Sequence, residues 1–272
     1  EGAQPDPNDT ATRACPPPPN RDYTRFLDPD GLRGARIGIP RAFFYERITP
    51  PGSQSPRGGL NEAQRKLMEE AIAVLKERGA IVVDPADIPS VVDTSAANNI
   101  LNWSPCSGLD NAKGLDANCS VVLKYGMKRD FNAWLRSLGD RAPVKTLTEL
   151  RQWNIAHQRA GAIKYGQAQL DISDEMDVQA DRARYQADRR KDVYLAATHG
   201  IDEVMKSQRL DALLFPGVSS AGIAARPGYP TITVPFGFVP VSQGQGGAAF
   251  PAGFEPRPAP FGVSFTGMAC SE

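Results

Sequence analysis

The stretch Ala35 to Pro40, ARIGIP, followed after a Gly/Pro-rich loop by Asn61 to Pro85, NEAQRKLMEEAIAVLKERGAIVVDP, decides the architecture of this chain. The first piece is a short β-branched run stopped by proline, the pattern of a buried strand. Asn61 is a good N-cap with Gln64 at the capping-box position, and Ala63, Leu67, Ala71, Val74 and Leu75 recur at helical spacing. Gly79 supplies the C-terminal stop, and Ala80 to Val83 reads as a second strand. Strand, helix and adjacent strand in this order predict a parallel βαβ unit, so the fold class is α/β.

Outward from that unit, the middle of the chain is helical. Ser120 to Leu138 carries Val122, Tyr125, Phe131, Trp134, Leu135 and Leu138 at three- and four-residue spacings, and Thr146 with Glu149 three residues on opens another helix. The polar stretch from about Ser173 to Lys206 predicts one long helix with a wet face, its charge run Asp181 to Asp192 lying on that face. The last third turns β-rich. LDALLFPG (210–217), GYPTITVPFGFVP (228–240) and PFGVSFTG (260–267) read as buried strands near a sheet centre, with SQGQGGAAFPAGFEPRP (242–258) as a surface loop. At the other end, the prolines 16 to 19 cannot enter a helix interior or inner strand and predict an extended connector.

Composition narrows the function classes. With 272 residues, 31 basic and 31 acidic side chains and no long block of one sign, nothing points to nucleic acid or an anionic membrane. Apolar runs are broken by Gly or Pro well short of the roughly 20 residues a membrane span needs. The chain reads as soluble. It begins at Glu1, and its opening has neither a basic n-region nor an apolar h-region, so the true N-terminus is expected elsewhere. Four cysteines in no CxxC pair and two histidines make a metal site unexpected, and no Walker A string or GxGxxG after a strand supports a nucleotide cofactor. Cys106 and Cys119 flank a Gly/Asp/Asn-containing stretch, which leaves both a disulfide and two separate thiols open.

Candidate nucleophiles are few. Ser219 and Ser220 follow a strand in GVSSAG, but Ala221 occupies the second glycine position of a nucleophile elbow and a helix breaker follows too soon. A pocket-lining loop is the better reading. His157 and His199 both sit in helical context, His199 before Gly200 as at a helix end or kink, and neither is placed as a triad base. Asp6 and Asp9 in PDPNDT suit an Asx turn better than a carboxylate pair.

The wording and order of these segments resemble the amidase-signature family across nearly the whole chain. EGAQPDPNDTAT is similar to its Gly-x-Asp-x-x-Asp-x-Thr/Ser segment, with Gln4 where Asp is frequent, and DGLRGARIGIPRAFF to its L-G-R-I-G-V-P strand. YGMKRDFNAWLRSLG is similar to the E-F-K-x-D-L-N-x-Y-L helix, although Tyr125 or Gly126 replaces the customary Glu. RLDALLFPG, RPGYPTITVPFGF and PFGVSFTGMACSE follow as the family's strands do.

The resemblance implies the C-terminal portion of a large mixed β-sheet covered by helices. Residues 1–34 would be an extended connector and residues 35–272 part of a single α/β domain. It implies amide C–N hydrolysis by a serine, a second serine in a cis peptide and a lysine, all expected upstream of Glu1, so no catalytic residue is assigned within this chain. What remains is a substrate wall: Phe215, Pro216, Gly217, Val218, Ser219 and Ser220, with Tyr229. The usual threonine after the first proline is absent, and FPG is more apolar than the family pattern. Expected partners are a small-molecule amide, with no cofactor, metal, nucleic acid or membrane. A non-catalytic binding or assembly module and an amidotransferase A-type subunit are the alternatives. The chain alone is expected to be inactive and, with an open sheet edge, poorly soluble.

Overall fold

The computed structural model describes residues 5–7, 9–107, 118–241 and 253–272. The chain divides into two compact units, one made of the residues up to Asn99 and from Tyr194 onward, the other of Ile100–Val193. In chain order the strands are β1 (Arg36–Gly38), β2 (Arg47–Ile48), β3 (Arg57–Gly58), β4 (Ile81–Val83), β5 (Ser104–Pro105), β6 (Cys119–Ser120), β7 (Ala212–Pro216), β8 (Thr231–Val239) and β9 (Ala259–Thr266).

The first unit is built on a mixed five-stranded sheet in the order β4-β1-β7-β9-β8. Strand β1 pairs in parallel with β4, Arg36 opposite Ile81 and Gly38 opposite Val83, and α1 (Glu62–Glu77) joins the two. The βαβ reading therefore holds. On its other side β1 runs parallel to β7, which pairs antiparallel with β9, and β9 antiparallel with β8. A β-carbon on Gly38 would press into Leu210, Ala86 and Leu213, so the residue at this crossing must be small.

Helix α1 opens with both hydrogen bonds of a capping box: Asn61 Oδ1 accepts from the Gln64 backbone at 2.9 Å, and Gln64 Oε1 from the Asn61 backbone at 3.1 Å. Its buried residues are Met68, Ala71, Ile72 and Leu75. The expected face was set slightly wrong, because Val74 is exposed and Ala63 and Leu67 lie on the flank. Leu67 covers Gly237 of β8, where a β-carbon would come within 2.8 Å of it.

Strands β7 and β9 are buried as read. Strand β8 is not, since it forms the sheet edge, with Ile232, Val234 and Phe238 exposed at 61%, 43% and 70%. Pro235 sits in it beside a register shift, and proline, lacking the N–H, suits an edge rather than a centre. The described part of the segment before β1 carries three one-turn 3-10 helices, Thr10–Arg13, Pro19–Arg21 and Tyr23–Phe26, none with a buried residue. Asp9 caps the first of them, accepting from Ala11 N at 3.0 Å as an Asx turn does. The unit is cross-linked by a disulfide between Cys15 and Cys270, which sequence reading did not foresee.

The second unit holds α3 (Val122–Ser137), α4 (Leu147–Ala156), α5 (Ala168–Asp174) and α6 (Arg182–Val193); the one-turn α2 (Pro89–Val92) belongs to the first. A parallel pair, β5 with β6, is closed by a disulfide between Cys106 and Cys119, which are therefore not separate thiols. All four cysteines are thus paired, a state that persists in oxidising compartments. Cys106, Val121, Tyr125 and Met176 form a buried cluster beside it. In α3 the buried side chains are Lys124, Tyr125 and Leu135, with Lys124 Nζ 4.0 Å from Glu175, while Trp134 of the expected core stripe is exposed. Thr146 caps α4 as expected, accepting from Glu149 N at 3.1 Å.

The single long helix expected over 173–206 does not exist. Helix α5 ends at Asp174, α6 runs over Arg182–Val193, and a π-helical segment Tyr194–Ile201 breaks at Gly200 (φ −130°, ψ −118°) before α7 (Asp202–Gln208). A β-carbon at Gly200 would come within 2.6 Å of the Leu195 carbonyl oxygen, so glycine permits the break. Among the described residues no helix is long and apolar enough to cross a membrane. Most of the loop 242–258 and the stretch between the Cys106–Cys119 pair lie outside the described residues, as does Gln4.

Candidate functional site

The residues expected to form the substrate wall follow directly from the central strand. Phe215 and Pro216 end β7 and are fully packed, with the Phe215 ring edge-on to Phe44 at 4.8 Å between centroids. Tyr45 reaches the same strand, its hydroxyl donating to the Leu214 carbonyl at 2.9 Å, and burial holds that phenol far above its ordinary pKa. The chain then turns at Gly217, whose φ of 57° favours glycine. Gly217 N donates to the Gly262 carbonyl at 2.9 Å, and its own carbonyl accepts from Ser264 Oγ. Since Ser264 spends its proton there, Thr233 Oγ1, 2.8 Å away, is the donor to Ser264. This hydroxyl relay fixes the turn to β9 and β8.

Beyond the turn, Val218 is 71% exposed and Ser219 is exposed, while Ser220 is buried at the start of the one-turn helix α8 (Ala221–Ala224). The Ser220 hydroxyl has no hydrogen-bond partner among the described residues. Tyr229 follows α8 and donates to Asp202 Oδ1 at 2.7 Å; burial first, then that carboxylate, push its pKa up to about 12. The structure thus brings residues 215–220 together as strand end and turn, and it ties Tyr229 to α7 through Asp202.

Neither histidine serves these serines. His157 stacks on Trp153 at 3.9 Å, with Nδ1 2.7 Å from the Trp153 carbonyl. His199, at the π-segment kink, lies between two carboxylates, Nε2 2.8 Å from Asp93 and Nδ1 2.9 Å from Glu203. Burial alone would lower its pKa, but the bonds to Glu203 and Asp93 outweigh it and raise it above 6.5. A raised folded pKa means that the protonated ring stabilises the fold fully below the unfolded pKa, and that this gain is lost as pH rises through the folded value. His199→Gln is therefore expected to lower the urea midpoint more at about pH 6 than at about pH 9. An equal loss at both pH values would show that the ring acts only as a neutral hydrogen-bonding group.

The charge run of α6 is where sequence reading missed most. Asp188 and Asp192 are buried, not solvated. Asp192 accepts from Trp103 Nε1 at 2.9 Å and from Ser120 Oγ at 2.7 Å, and Asp188 accepts from Val121 N at 3.0 Å. With Tyr185 they recur at three- and four-residue steps, a helical stripe that spacing could have revealed. Among the described residues no group of three or more His, Cys, Asp or Glu could hold a metal ion.

No family model matches the chain. A protein of Arabidopsis thaliana named "Probable amidase" is 23% identical over 235 residues, covering 86% of this chain and 39% of that protein. The native peptide amidase of Stenotrophomonas maltophilia aligns with 99% of this chain and 46% of its own at a TM-score of 0.66 and 28% identity. The A-type subunit of a glutamyl-tRNA(Gln) amidotransferase of Clostridium botulinum is 37% identical over 86 residues, 32% of this chain and 15% of that protein. This chain spans less than half the length of these relatives. Amidases are its relatives in sequence and in fold, in accord with the amidase-signature motifs.

Proposed function

We propose that this chain, a relative of amidases, supplies scaffold and one wall of the substrate pocket in an enzyme that hydrolyses a carboxamide C–N bond. The observation that carries the reading is the likeness to a peptide amidase over 99% of the chain at 28% identity. The serine nucleophile, the cis-peptide serine and the lysine of the resemblance lie outside these 272 residues in this proposal. A lysine kept neutral by burial takes the nucleophile's proton through the bridging serine, and backbone N–H groups hold the oxyanion. That scheme needs no histidine, and both histidines here are engaged elsewhere.

In this proposal residues 215–220 and Tyr229 face the acyl side of the substrate. Val218 and Ser219 are exposed and would make the contact, while the buried Phe215, Pro216 and Ser220 would hold that turn from behind. The test is ammonia release from a panel of carboxamides, a peptide amide among them, by the full-length gene product and by the 272-residue chain. Release by the former and none by the latter is the expected result. Silence from both would remove the amidase reading, and release by the chain alone, abolished in Ser219→Ala or Ser220→Ala, would relocate the nucleophile. The 86-residue match favours a second reading, an amidotransferase A-type subunit that passes ammonia to another site. Ammonia consumed by an acceptor reaction in a partner-containing complex, rather than released, would select it.

A further inference from the structure

Within the unit Ile100–Val193, a cleft of about 410 Å³ opens between one face of α3 and the start of α6. Helix α3 lines it with Tyr125, Arg129, Asn132 and Arg136, which recur at helical steps along a single stripe, and Arg182 and Tyr185 of α6 face them. Its base is aromatic and already neutral. Tyr125 and Tyr185 stack at 4.4 Å, and the Arg129 guanidinium lies 4.9 Å from the centre of the Tyr185 ring while holding Asp130 through bonds of 2.7 and 2.9 Å. Tyr125 is pinned from below by its hydroxyl bond to the Val178 carbonyl at 2.7 Å.

The rim is different. Arg136 and Arg182 are exposed, and neither guanidinium has an ion pair or hydrogen bond among the described residues. Three acids close to them in sequence are engaged by other donors: Asp130 by Arg129, Asp181 by the Asp177 backbone at 2.7 Å, and Asp177 by the Gln179 and Ala180 backbones at 2.8 and 2.9 Å. Two guanidinium groups over one preformed concavity raise its positive potential, and their forked donors match carboxylate and phosphate oxygens. The volume falls in the range of roughly 300 to 1,000 Å³ typical of small-molecule sites.

We propose that this cleft binds a small organic oxyanion, a carboxylate or a phosphate, with the charged group between Arg136 and Arg182 and the apolar body against Val178 and Tyr185. Benzoate and phenyl phosphate carry the two oxyanions on one ring, and benzyl alcohol is their neutral counterpart. Calorimetric titration of the 272-residue chain is expected to show saturable binding of at least one oxyanion and none of the alcohol, and the better of the two identifies the headgroup. Arg136→Gln and Arg182→Gln should each weaken that binding by about tenfold, as loss of a charge-assisted bond does. Arg159→Gln, an exposed arginine elsewhere in the unit, should leave it unchanged. As a readout on the unaltered chain, the bound oxyanion should protect Arg136 and Arg182 from phenylglyoxal, read by peptide mass spectrometry. Absence of saturable binding, equal affinity for the alcohol, undiminished affinity in either Arg136→Gln or Arg182→Gln, or unprotected arginines would each overturn the proposal.

Discussion

Phe215→Ala is expected to destabilise the sheet unit by about 3 to 5 kcal/mol, the range for removing a large aromatic side chain from a packed core. Phe215 is inaccessible to solvent, sits on the central strand between β1 and β9, and meets Phe44 edge-on. Truncation therefore loses apolar burial, the ring–ring contact and close packing at one point, and the strand pairing on both sides leaves little freedom to collapse into the void. The measurement is a urea titration followed by far-UV circular dichroism. A loss below about 1 kcal/mol would mean that the site relaxes as a surface position does, and that β7 is not the centre of the core. Phe215→Leu, which keeps much of the volume, should recover most of the difference. Because Phe215 also heads the proposed substrate wall, Val218→Ala serves as the comparison: Val218 is exposed, and its loss should leave stability almost unchanged.

The contrast between β7 and β8 shows what sequence can and cannot specify here. Both are apolar and bounded by Gly or Pro, and both read as central strands, because an apolar run says that a segment can be buried and not on how many sides. The distinguishing sign was Pro235, whose missing N–H belongs on an edge. Signals that act within a few residues were legible: the Asn61–Gln64 box, the Thr146 cap and the Gly79 stop each depend on neighbours in the chain. The Cys15–Cys270 bridge, 255 residues apart in sequence, carries no such signal. The 173–206 region failed for another reason. Residue type was allowed to decide exposure, yet Asp188 and Asp192 are buried through specific donors, and Gly200 interrupts a pattern that helix propensity alone would continue. The candidate wall was placed by the order of motifs. Local chemistry could not have placed it, since a buried Phe-Pro-Gly turn has no side chain that announces a substrate.

Asp192→Ala is expected to be the most damaging change in the helical unit, at about 2 to 4 kcal/mol, since it strands buried donors as well as removing an acceptor. Trp103 Nε1 and Ser120 Oγ both lose a carboxylate bond, at 2.9 and 2.7 Å. Ser120 ends β6, so its loss also loosens the strand pair beside the Cys106–Cys119 disulfide. The three tryptophans, Trp103, Trp134 and Trp153, all belong to the unit Ile100–Val193, so tryptophan fluorescence reports on that unit alone. The fluorescence-detected urea midpoint should fall in Asp192→Ala and fall less in Asp192→Asn, which retains one acceptor oxygen but replaces the other with a donor. Equal effects of the two would show that charge, rather than hydrogen-bond capacity, is what α6 brings inward. Asp188→Ala gives an internal scale: Asp188 accepts from Val121 N and has Arg184 only 3.5 Å away, so its removal leaves a buried backbone donor and a more exposed cation. If the buried backbone donor sets the cost, Asp188→Ala should also lower the midpoint, and Arg184→Ala, whose side chain is 39% exposed, should lower it much less.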